Sequence, residues 1–122
     1  MLADITEDGI RKLVNSFYGK IRADSELGPV FNQAIPAEAW SAHLDKLCDF
    51  WSAVMLKTGR YHGNPPRKHM ELPPFPPELF DRWLALFAAT AREVFNPEIA
   101  IQFEETSRNI ARSLKSTLDG RA

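Results

Sequence analysis

The sequence predicts an all-α protein, on three observations. Apolar residues recur at three- and four-residue spacing through four segments, prolines and glycines fall between those segments, and sustained period-two alternation occurs nowhere. The first helix is expected from about Glu7 to Ala23, with Thr6 as its N-cap and Ile10, Leu13, Val14, Phe17 and Ile21 as its apolar stripe. Leu27-Gly28-Pro29-Val30-Phe31 then breaks the pattern, its glycine and proline marking a turn. Pro36 is expected as the first residue of a second long helix that Gly59 closes, with Trp40, His43, Leu44, Leu47, Phe50, Trp51 and Val54 as its stripe. A third helix begins at Pro76 or Pro77 and carries Phe80, Trp83, Leu84, Phe87, Ala91 and Val94 on one face. Asn96 caps a fourth, with Pro97 at its first position, Ile99, Phe103, Ile110, Leu114 and Leu118 facing inward, and Gly120 at its end.

At this length the chain is expected to form one domain, residues 1–122, with a core of its own. Fifteen lysines and arginines stand against 16 aspartates and glutamates, a net charge of −1 that argues against a nucleic-acid or membrane-surface role. No apolar run reaches membrane-spanning length, and Met1-Leu2-Ala3-Asp4 lacks the layout of a signal peptide. A single cysteine, Cys48, excludes an internal disulfide and leads us to expect a reducing cytoplasm.

Three stripes carry a polar group where hydrocarbon would be cheaper to bury. Tyr18 lies beside the inner face of the first helix, His43 falls within the second stripe, and Trp83 sits in the middle of the third. An unpaired buried polar group costs about 1–3 kcal/mol, so each needs a partner. Singly, each reads as a packing residue whose polar tip reaches backbone or water. Together they favour a ligand shared between helices.

The opposite side of such a ligand falls to His69. It lies in Pro65-Pro66-Arg67-Lys68-His69-Met70-Glu71-Leu72-Pro73-Pro74, where prolines on both flanks leave room for little more than one helical turn. By itself it reads as a solvated histidine in a basic surface turn; beside the polar trio it reads as a metal ligand. His62, next to Gly63 and Asn64, is the competing ligand and reads as solvated. Cys48 reads as a small packing residue rather than a thiolate ligand, and Glu104-Glu105 as a solvated helical face. Paired catalytic acids, a glycine-rich phosphate loop and metal-finger spacing are all missing from the sequence.

The ordered set of pieces resembles the third group of the truncated haemoglobins. The matching residues are Phe17-Tyr18, Leu27-Gly28-Pro29-Val30-Phe31, Trp40 with His43, Phe50-Trp51, Tyr61 with Gly63 and Pro65, Lys68-His69 with Leu72-Pro73, Arg82-Trp83-Leu84 and Leu86-Phe87. They cover nearly the whole chain from Phe17 to the last helix. The paired glycine motifs of the other truncated groups are absent, in keeping with the third.

The resemblance implies a two-over-two helical sandwich around haem b, with His69 as proximal iron ligand. Phe31, Leu47, Phe50, Trp51 and Leu72 would border the haem, with Tyr61 and Lys68 in reach of its propionates. Tyr18, Trp83 and His43 would form a polar distal site, His43 standing at its entrance. Such a site binds O2, CO and NO, and donors aimed at a ligand that gains negative charge can also polarise it for chemistry. NO dioxygenation or peroxidase-like turnover of peroxide, with a reductase partner, is the leading expectation for a monomeric protein. An oxygen carrier without turnover and a haem-free helical interaction module are the alternatives.

Overall fold

The computed structural model describes residues 2–57 and 78–119, with side chains described as far as residue 112. The described residues form five α-helices: α1 (Glu7–Ala23), α2 (Leu27–Ala34), α3 (Trp40–Leu56), α4 (Glu78–Val94) and α5 (Pro97–Asp119). Helix α1 packs against α2, α3 and α4, and α4 packs in turn on α5, which sets one pair of long helices on another. The extended contact among them is one parallel bridge, where Leu2 meets Phe95. None of the helices, over the described residues, is long and apolar enough to cross a membrane.

Helix α1 forms as its pattern predicts. Thr6 Oγ1 accepts from the Gly9 amide at 3.0 Å, and Glu7 and Asp8 oppose the positive end of the helix dipole. Ile10, Leu13, Val14, Phe17 and Ile21 are all buried, joined in one core by Phe87, Ala91, Phe95 and Phe103. Asn96 caps α5 through a 3.0 Å bond from the Ile99 amide to Oδ1, with Pro97 at the first position where its missing N–H leaves nothing unpaired.

The segment expected to be a turn at Leu27–Phe31 is instead the opening of helix α2. Pro29 falls within its first turn, where an amide has no intrahelical acceptor. Gly28 serves close approach rather than a turn, since a Cβ there would lie 2.7 Å from the Arg22 carbonyl oxygen. Asn32 Nδ2 donates to that same carbonyl at 3.2 Å, so α2 is fastened directly to the end of α1.

The second long helix also begins later than its proline suggests. Pro36 precedes a 3-10 turn, Ala37–Ala39, and the α-helix starts at Trp40. It ends before Gly59, because Lys57 at φ 57° takes the left-handed conformation that stops it. Glu104 corrects a further expectation: it is buried, and its carboxylate meets the Arg92 guanidinium at 2.7 Å, whereas Glu105 is exposed. Val54 is 40% exposed, so the second stripe is not covered along its full length by the described residues.

Asp24 is the joint between the two layers. Its carboxylate accepts from the Glu26 and Leu27 amides at 3.0 and 2.8 Å, and its two oxygens take Arg82 Nη2 at 2.7 Å and Nε at 2.8 Å. The Arg82 guanidinium and these amides hold the Asp24 carboxyl well below the usual carboxylate range. An unfolded aspartate titrates near 3.9, so this stabilisation is complete above roughly pH 4 and is lost as pH falls through the lower folded value. Asp24→Asn is therefore expected to lower the melting temperature by roughly 4 °C at pH 7, with the gap to wild type closing below pH 4. A gap that stays constant down to pH 2.5 in thermal melts would sink this account.

Candidate functional site

Tyr18, His43 and Trp83 come together from three helices. Tyr18 on α1 is 5% exposed, while His43 on α3 and Trp83 on α4 are half-buried. The imidazole stands edge-on to the phenol with ring centroids 6.3 Å apart, and the Trp83 indole lies near enough to the Tyr18 hydroxyl to favour its ionised form. Burial pushes the Tyr18 phenol far above its usual range, and the nearby indole offsets this only in part. Tyr18 is thus a neutral hydroxyl at any physiological pH. A neutral phenol carries one proton to donate.

Aromatic packing fixes these groups. Phe17 sits edge-to-face against Tyr18 at 4.9 Å and against Trp83 at 5.2 Å. The Trp83 ring stacks on Phe87 at 5.5 Å and 3°, and Trp51 stacks on that same Phe87 at 5.0 Å and 17°. A side chain locked in a ring stack cannot reorient its single N–H without disrupting neighbours. Phe31, 6% exposed, turns its edge toward Tyr18 from α2 at 6.3 Å.

Of the other sequence-derived site residues, Leu47 and Phe50 are half-buried along α3, packed on the core from one side, and Trp51 is 3% exposed within it. Tyr61, His62, Lys68, His69 and Leu72, with the proline-flanked turn and its basic residues, lie outside the described residues. Cys48 is buried as a packing residue, and its surroundings push the thiol upward, which makes it a poor nucleophile. Among the described residues no cluster of three or more histidines, cysteines or carboxylates is placed to hold a metal ion.

Two further residues bear on the geometry of these groups. Arg82, next to Trp83, ties α4 to the α1–α2 corner through Asp24; a charged residue one position from an apolar-face indole was the available signal. Trp40 reads as core, yet it touches both Tyr18 and His43, at 6.2 and 5.5 Å.

Haem suits this arrangement. Leu44, Leu47 and Phe50 on α3 are half-buried against the core, and His43 on the same helix meets the neutral buried hydroxyl of Tyr18. Apolar side chains with a few placed donors fit a flat ring and what binds on it. The chain is 40% identical over 116 residues to the group 3 truncated hemoglobin ctb of Campylobacter jejuni, a match covering 93% of this chain and 91% of that protein. The crystal structure of the group III truncated hemoglobin from Campylobacter jejuni matches with a TM-score of 0.91 and 39% identity, covering 97% of this chain and 95% of that one. No family model matches the chain. It belongs to the group 3 truncated haemoglobins, with their all-α two-over-two fold, and that membership implies a haem cofactor. The sequence resemblance is borne out.

Proposed function

We propose that this protein is a haem b protein that holds O2 and related diatomic ligands at a polar distal site and carries out redox chemistry on them. The observation that carries the reading is the buried, neutral Tyr18 hydroxyl beside His43 and Trp83, with one proton to donate. Haem b, rather than a covalently attached haem, is supported by the lone Cys48, since thioether attachment uses a paired-cysteine motif ending in histidine. His69 is the proposed proximal ligand, with Phe31, Leu47, Phe50, Trp51 and Leu72 along the ring and Tyr61 and Lys68 toward its propionates.

When bound, the haem iron supplies the reversible attachment point for a diatomic molecule. The chain supplies the rest. Tyr18 donates its O–H to a ligand that has gained negative charge, a bond worth about 1.5–3 kcal/mol. Trp83, beside the Tyr18 hydroxyl, can act on the ligand directly, as the sequence suggested, or through the phenol by donating to its oxygen. Tight retention suits a protein that transforms its ligand better than one that delivers it. Of the candidate reactions, NO dioxygenation needs only NO, O2 and one electron to give nitrate, the electron coming from a reductase.

Absorption spectra of the ferric, ferrous and CO-bound forms test the cofactor, with a Soret band expected. Slow O2 release, together with nitrate formed when NO meets the oxygen-saturated ferrous protein, is expected of the enzyme. Fast release without nitrate would favour a carrier, and a missing Soret band a haem-free module.

His43 has a separate proposed role at the entrance. A half-buried imidazole on α3 can exchange between staggered rotamers without backbone change. His43→Leu is expected to change CO association while leaving O2 dissociation nearly unaltered. A large rise in O2 dissociation with unchanged association would make His43 a direct donor instead.

A further inference from the structure

Behind Trp40, on the side away from the ligand site, the structure opens. The last turns of α1, helix α2 and the 3-10 turn border a solvent-facing cleft of about 490 Å3, lined by Gly19, Arg22, Asn32, Ile35, Ala37 and Trp40. The Arg22 guanidinium covers the Trp40 ring 4.7 Å from its centroid. On its inner side the same indole meets His43 edge-on at 5.5 Å and Tyr18 at 6.2 Å. One ring, 3% exposed, therefore borders the cleft and also meets the phenol and imidazole of the proposed distal site.

We propose that this cleft is the outer vestibule through which a diatomic ligand reaches the Tyr18 site, with Trp40 as its inner partition and Arg22 as the positioning residue that holds the partition shut. The inference rests on the haem reading above. Size permits it, since a molecule as small as water takes about 30 Å3 and the cleft is many times larger. A Cβ placed on exposed Gly19 would meet nothing within 4 Å, so the α1 side of the cleft is open at that position and a larger side chain there would narrow it. A cation resting on an indole at an exposed site is held only modestly, which suits a partition that opens thermally rather than a permanent seal.

Two variants test it from opposite directions. Gly19→Leu puts a branched side chain into the open space and removes a helix-interior glycine, so the fold should gain stability while CO association slows severalfold. Arg22→Ala frees the ring and should speed CO association about two- to five-fold, the scale of one exposed cation–π contact. O2 dissociation should shift in the same direction by a similar factor in each, because a partition on the route acts on exit as on entry, while affinity, set by the bound state, stays unchanged. Hydrogen exchange of the Trp40 indole N–H, followed by NMR in the CO-bound protein, should rise in Arg22→Ala and return toward wild type in Arg22→Lys. Unchanged CO association in Gly19→Leu overturns the vestibule. Faster indole exchange with unchanged CO association in Arg22→Ala overturns the partition, and unchanged exchange in that variant overturns the latch. A normal haem spectrum with these failures defeats this inference alone, whereas a missing Soret band defeats it together with the function it rests on.

Discussion

Replacing Tyr18 with phenylalanine is expected to speed O2 release about 10- to 100-fold, as loss of one charge-assisted hydrogen bond implies at about 1.4 kcal/mol per tenfold. CO release should change far less, because CO takes up little negative charge for a donor to recognise. Trp83→Phe is expected to act in the same direction, since it removes the indole N–H beside the Tyr18 hydroxyl. A relay through the phenol makes a sharper demand on the double variant. If the two side chains act as one unit, the combined effect falls well short of the product of the single effects. Stopped-flow displacement of O2 by CO measures all three variants, and multiplicative effects would restore two independent donors. The elevated Tyr18 pKa adds a pH expectation: the phenol remains a proton donor throughout the neutral range, so O2 release in wild type should be flat from about pH 6 to 9. Equal acceleration of O2 and CO release would point to steric control and away from hydrogen bonding.

His69→Ala is expected to have the largest effect on the cofactor. His69 is the histidine that prolines flank on both sides at short range, Pro65-Pro66 before it and Pro73-Pro74 after. Such pinning fixes φ at several positions and lowers the entropy lost when a ligating turn orders against the ring. Without the imidazole the protein is expected to fold partially. It should bind haem weakly, or through a wrong axial ligand, with altered ferrous and CO-bound spectra. Circular dichroism separates the two readouts. An unchanged CO-bound spectrum would transfer the ligand role to His62 or His43.

The long helices were legible because their determinants are local. Thr6 and Asn96 each cap within three residues, and the stripes Ile10 to Ile21 and Phe80 to Val94 announce a buried face by spacing alone. The polar trio was legible for a related reason: a hydroxyl, an imidazole and an indole on apolar faces are conspicuous in any sequence. The family was legible from the order of its pieces, which no single piece could have carried. Composition and stripe period settled the fold class without any knowledge of which helix meets which.

What tertiary structure alone decided concerns groups whose meaning depends on a partner distant in sequence. Gly28 and Pro29 look like a turn until the Arg22 carbonyl lies 2.7 Å from where a Cβ would stand; then the glycine is a contact and the proline a helix start. Glu104 looks solvated until packing buries it beside Arg92. Asp24 and Arg82 are 58 positions apart, and no periodicity joins them. Whether the Trp83 indole would lie by Tyr18 or elsewhere was open in the sequence, and only the packing of α1 on α4 set it beside the phenol. A sequence records each side chain's capacity to bury or to hydrogen-bond, but a donor's acceptor is fixed only when helices far apart in the chain are brought to contact distance.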